Sequence, residues 1–257
     1  MKKSPAYIAA HIRSLLQKGG SAPHSVQVQR FFKHQIKSRG WSTHALRQLA
    51  RRFRREILAE QDLASLVQVA DRLFAGAVLE EKNFAVMLLE GITGQLGPRE
   101  FKLLEGWLDR VTSWADHDGL VHYLIGPMVA ADDVYLKRLP TWAGKKSRWH
   151  QRAAAAVSLV QSTRRHKNFN HIQRVTELLA NRKDDMVQKG LGWLLREAVK
   201  ANPRQAVTYL MSIRQRLPRP VLRRACETLA PGERRRVLEK ANTARSPRSK
   251  PITARPQ

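Results

Sequence analysis

The chain has 257 residues, enough for one sizeable core or a continuous stack of small units. Lysine and arginine outnumber aspartate and glutamate by 47 to 21, for a formal charge of +26 and a sequence pI near 11.3. Self-repulsion on that scale destabilises a compact protein, which argues against an ordinary solvated surface and for a polyanionic partner, nucleic acid ahead of an anionic membrane or an acidic protein.

Apolar residues recur with helical spacing almost throughout, and no run of alternating β-branched residues suggests a strand. The first helix is predicted over 5–18, where His11 and Arg13 interrupt any signal-peptide core. After "KGG" at 18–20 come helices over 25–38 and 42–59. The second carries the basic run "RQLARRFRRE" at 47–56, ordinary as a solvated face and suited to gripping phosphates. Helices over 62–75 and 80–94 lead to the breaker "GQLGP".

Over 98–114 the stripe Phe101, Leu104, Leu108 and Val111 predicts a helix with Trp107 and Trp114 together on its flank. The acidic, aromatic stretch "TSWADHDGL" follows, in a chain that is otherwise strongly basic. If the helix continued, Asp118 would share a side with Trp114, four residues earlier, and Asp116 would point away. If "DHDG" broke it, Asp118 would cap a helix predicted over 119–131. Asp118 and His122 have a metal-ligand spacing but no third partner, so no metal is expected.

Further helices are predicted over 133–142, 147–162, 168–180, 184–201, 203–217, 219–229 and 231–241. In 147–162 the stripe is Trp149, Ala153, Ala156, Val157 and Val160, with Arg152 on its flank and Arg148 nearby. In 184–201 it is Val187, Leu191, Leu194, Leu195 and Ala198. Trp193 falls nearly opposite that stripe, beside Lys189, Arg196, Glu197 and Lys200, either covered by a neighbouring helix or presenting an aromatic surface beside phosphate-binding cations.

From about residue 78 the helix pairs recur every ~35 to 40 residues, a period that suits an all-α helical-repeat solenoid with a basic concave face; a compact helical bundle is the alternative. The expected organisation is one domain over 1–240 and a disordered, proline-rich basic tail over 241–257. The single cysteine, Cys226, excludes an internal disulfide, and no stretch approaches the ~18 apolar residues of a membrane span. A soluble, cytoplasmic, nucleoid-associated protein is expected. Glycine-rich phosphate loops, GxSxG and HExxH are all missing, so nucleotide hydrolysis, serine hydrolysis and zinc chemistry lack support.

"SWADHD" at 113–118, "RWHQRAAA" at 148–155 and "VQKGLGWLLRE" at 187–197 together resemble the AlkD-like DNA alkylation repair family, the HEAT-like-repeat DNA glycosylases for alkylated purines. "WSTHALRQLARRF" at 41–53 and "NFAVMLLE" at 83–90 fit it more loosely, and the resemblance covers about residues 25–240. It implies a curved solenoid of HEAT-like repeats and hydrolysis of the N-glycosidic bond of cationic N3- or N7-alkylpurines in duplex DNA, leaving an abasic site. It makes Asp118 the catalytic aspartate, Trp114 and Trp193 the cleft tryptophans, and Arg152 the arginine that meets the DNA backbone near the lesion. Arg148, Lys189, Arg196 and Lys200 are expected to bind DNA beside them.

The chain departs from the family pattern W-D-x-V-D: Ala115 follows Trp114, and His117 precedes Asp118. Aligning Asp118 keeps the spacing of four from the tryptophan, and Asp116 is the fallback. A monomer without cofactor, metal or membrane is expected, acting on double-stranded DNA that carries alkylated bases. The alternatives are a non-catalytic DNA- or RNA-binding paralogue on the same fold, and a helical-repeat protein-interaction module.

Overall fold

The computed structural model describes residues 2–157, 159–165 and 169–239, so the tail expected over 241–257 lies outside the described residues. The regular structure of the described residues is helical, with an isolated parallel bridge between Lys37 and Val78 beside it. No described helix is long and apolar enough to cross a membrane.

Local chemistry sets the first helix starts. Helix α1 (Pro5–Lys18) begins behind Ser4, whose hydroxyl accepts the Tyr7 N–H, and α2 (Ala22–Gln29) begins the same way behind Ser21. Ser42 caps α3 (Thr43–Glu60) and Asp62 caps α4 (Leu63–Phe74). Helix α5 (Leu79–Leu89) stops just before Gly91, whose φ of 88° no longer fits a helix.

The helix predicted over 25–38 is corrected by tertiary hydrogen bonds. Helix α2 ends at Gln29, whose side chain accepts from the Ile36 N–H and donates to the His34 carbonyl. The Glu80 carboxylate of α5 then takes the N–H groups of Arg39, Gly40 and Trp41. These bonds outweigh a helical propensity worth only tenths of a kcal/mol per residue, roughly. Gly40 is required here: its φ is 74°, and a Cβ would fall 2.0 Å from the Ser21 carbonyl oxygen. Trp41 packs at the end of α1 and donates Nε1–H to the Leu16 carbonyl at 2.8 Å.

The region over 98–131 is also corrected. Helix α6 (Pro98–Trp107) passes through a tight turn at Leu108–Arg110, and α7 (Trp114–Leu120) starts afresh at Trp114. Buried Lys82 organises this break: its Nζ donates to the carbonyls of Phe74, at 2.9 Å, and Arg110, at 2.6 Å, and lies 4.0 Å from Asp116. One ammonium thus serves two helix-end carbonyls. Burial pushes the Lys82 pKa down, against the pull of the Asp116 charge. A wider π turn at Val121–Ile125 joins α7 to α8 (Gly126–Ala131), just before Pro127, which has no N–H for the helical ladder. Trp107, expected on a flank, is instead fully buried, stacked at 4.2 Å on Phe74.

The remaining helices are α9 (Leu139–Gly144), α10 (Arg148–Gln151), α11 (Val160–Arg164), α12 (Phe169–Leu179), α13 (Asp185–Ala201), α14 (Pro203–Ile213), α15 (Arg219–Ala225) and α16 (Pro231–Leu238). A second π turn, Arg152–Val157, follows α10. The stripes predicted for α6 and α13 are buried throughout: Phe101, Leu104, Leu108 and Val111 in one, and Val187, Leu191, Leu194, Leu195 and Ala198 in the other. Ala156 and Val157 of the 147–162 stripe lie outside the described side chains. Packing runs along the chain, α1 on α4, α4 and α3 on α5, α5 on α7, α8 on α11, α11 on α13, α13 on α15 and α14 on α16. Each helix packs chiefly on others near it in chain order, as in helical-repeat proteins.

Candidate active site

A groove of about 340 Å³ opens between α3, α5, α7 and α13, lined by Arg47, Asn83, Trp114, Asp118, His122 and Trp193 among others. Its acidic centre depends on how α7 begins. Ser113 is the N-cap, and Asp116, wholly buried, accepts the backbone N–H groups of Thr112 and Ser113 at 2.8 and 2.7 Å. The capping carboxylate is therefore Asp116, and Asp118, one turn after Trp114, is turned to the groove. Asp118 does not cap a helix at Gly119, and Asp116 is no candidate for the site.

Asp118 is held on two sides. Arg152 grips it in a fork, Nε to Oδ1 at 3.0 Å and Nη2 to Oδ2 at 2.7 Å, while its Nη1 donates to the Met186 carbonyl at 2.6 Å. His117, fully buried, sets Nδ1 2.7 Å from Oδ1. Burial by itself pushes the Asp118 pKa up, but the hydrogen bonds from His117 and Arg152, with the Arg152 charge, more than offset it. The carboxyl lies below its ordinary value and stays ionised at neutral pH. For His117 burial wins over the attraction of Asp118, and its pKa is lowered.

Aromatic groups flank the carboxylate. Trp114 stacks on Phe32 from the chain after α2, with centroids 5.1 Å apart, and Trp193 lies against His122 at 5.3 Å. Trp193 is thus half-buried in the groove, neither exposed nor lost in the core. Its Nε1 and Nδ1 of His122 are buried without a hydrogen-bond partner among the described residues. Arg47 stands over the Tyr123 ring at 5.7 Å and pairs with Glu90 at 3.1 Å.

A model of the DNA alkylation repair enzyme family matches residues 12–229. The chain belongs to that family. Its fold is similar to that of a predicted DNA alkylation repair enzyme from Enterococcus faecalis, with a TM-score of 0.71 at 18% identity, over 82% of this chain and 97% of that one. A search of curated proteins finds no match.

The cations expected to bind DNA occupy two settings in this alkylation-repair family member. Arg148, Lys189 and Lys200 are exposed but paired, with Asp184 at 2.7 Å, Asp185 at 3.4 Å and Glu197 at 3.1 Å respectively. Arg196 is more enclosed, between Glu197 at 3.3 Å and Glu227 at 3.0 Å. Among the described residues no group of three or more His, Cys, Asp or Glu side chains could hold a metal ion. Sequence reasoning missed Phe32 and the role of His117. Phe32 carries no local signal, since it meets Trp114 only through the fold. His117 was visible as a departure from the family pattern, but its partners were not.

Proposed function

We propose that this alkylation repair protein is a monofunctional DNA glycosylase that removes cationic N3- and N7-alkylated purines from duplex DNA and leaves an abasic site. The observation that carries this is an ionised carboxylate, Asp118, clamped by Arg152 and His117 in a groove that it shares with Trp114 and Trp193. An alkylated purine already bears a positive charge and needs no protonation to leave. As its bond to C1′ of the deoxyribose breaks, the bonding electron pair neutralises the purine and positive charge develops on the sugar. Asp118 stabilises that charge and positions a water, whose oxygen bonds to C1′ and whose proton passes to the carboxylate or to solvent. The tryptophan faces favour the same cationic centre.

Arg148, Lys189, Arg196 and Lys200 exchange their acidic partners for phosphates when the duplex docks, while Arg152, expected at the backbone but buried, stays on Asp118 and the Met186 carbonyl and holds the carboxylate in place. A monomer suffices, because one chain lines the groove. The test is release of N7-methylguanine and N3-methyladenine from methylated duplex, with wild type beside Asp118→Asn. Wild type is expected to release both, and the variant to lose about 100-fold or more while keeping its affinity for DNA. Uracil carries no positive charge and would depart as an anion, so it is expected to stay uncut. Tight binding without release by wild type would leave a DNA-binding scaffold instead.

A further inference from the structure

Two acceptors flank the ring of His117. Nδ1 is 2.7 Å from Oδ1 of Asp118, and Nε2 is 3.2 Å from the Trp149 carbonyl oxygen, with the ring tilted against the Trp149 indole at 5.4 Å. A neutral imidazole has one N–H and one lone pair, so it serves one acceptor at a time. The shorter approach is to the charged one, where a hydrogen bond is stronger, and this assigns the proton to Nδ1.

The consequence falls on Asp118. A carboxylate offers about four lone-pair positions. Oδ1 receives His117 Nδ1 and Arg152 Nε, and Oδ2 receives Arg152 Nη2. Among the described residues that leaves one open position, on Oδ2.

We propose that His117 is a positioning residue for the proposed base excision: by donating Nδ1–H it fills Oδ1 together with Arg152, so that Oδ2 alone meets the sugar or the attacking water. This role rests on the glycosylase reading. Without the imidazole, Oδ1 has a vacancy, the carboxylate turns more freely, and the water has two places to bind.

Three substitutions separate the two ring contacts. His117→Asn keeps a donor where Nδ1 lies, His117→Gln keeps one where Nε2 lies, and His117→Val keeps neither. In single-turnover release from methylated duplex at saturating protein, Asn is expected to stay within about threefold of wild type and Gln and Val to fall about tenfold or more, all with unchanged DNA affinity. Gln matching Asn, or rates that follow only the melting temperatures, would overturn the proposal. A second measurement needs no variant to fold and no turnover: the tautomer of His117 in the full wild-type chain, from long-range proton–nitrogen spectra at neutral pH. A protonated Nδ1 is expected, and protonation at Nε2 alone overturns the proposal even in an active enzyme. Wild type that releases no base ends the glycosylase reading and this role with it, whichever tautomer is found.

Discussion

Two aspartates, two residues apart, are given opposite work by what surrounds them. Asp116 spends its oxygens on the backbone of Thr112 and Ser113, and Asp118 meets only side chains, His117 and Arg152. The spacing of four puts Asp118 on the side of Trp114 wherever one helix holds both, and the resemblance to the family chose it over Asp116. The partners were not readable, since Arg152 and the Trp149 carbonyl reach the site from another helix. The histidines here share a bias: burial lowers the pKa of His117, His122 and His150 below the ordinary 6.5. Asp118 opposes this at His117, while Arg164 adds to it at His122 and Lys145 at His150. The unfolded chain therefore takes up protons first as pH falls below 6.5, and stability declines from there downward. Asp118 acts at lower pH: its stabilisation is complete above the ordinary 3.8 and is lost as pH falls through its lower folded value. Urea midpoints from about pH 8 to about pH 5 should fall steadily below the ordinary histidine range, and a flat profile would mean that the folded histidines bind protons as readily as the unfolded ones.

At the scale of elements, the site hangs on where α7 begins. The stripe Phe101, Leu104, Leu108 and Val111 predicts burial correctly, yet it cannot show that the helix breaks before Trp114. A stripe records which residues are buried, and the turn between α6 and α7 buries Leu108 and Val111 just as a helix would. The break is enforced by Lys82, fully enclosed among the Phe74 and Arg110 carbonyls and Asp116. Lys82→Met should cost about 3 kcal/mol in urea unfolding, because two carbonyls and a buried carboxylate lose their cation. A loss within the range of an exposed substitution, about 0.5 kcal/mol, would show that the ammonium does not hold the turn. Both π turns lie beside site residues, one containing His122 and the other opening at Arg152. Such turns re-aim side chains relative to a regular helix, and no periodicity in the residues announces them.

Across the whole molecule, the excess of 47 basic over 21 acidic residues is spread along the chain, while the groove gathers Thr43 to Trp193 from four helices and the π turn that carries His122 and Tyr123. Binding to undamaged duplex should weaken steeply with salt, with a log–log slope of about −5 or steeper, as expected for six or so phosphate contacts. A slope near zero would remove the electrostatic basis of the proposed DNA partner. Composition by itself determined the charge and pointed to a polyanionic partner, since a net charge is a sum that needs no geometry. The helical period and the buried stripes were likewise set by the residues alone, because each helix buries one face whatever it packs against. Only the tertiary structure decided that α2 stops at Gln29, that Phe32 stacks on Trp114, and that Asp118 is gripped by Arg152 and His117. The stack on Trp114 and the grip of Arg152 join residues distant in sequence, and the bonds of Gln29 and His117 form only once the chain around them is folded, so none leaves a trace in the helical period.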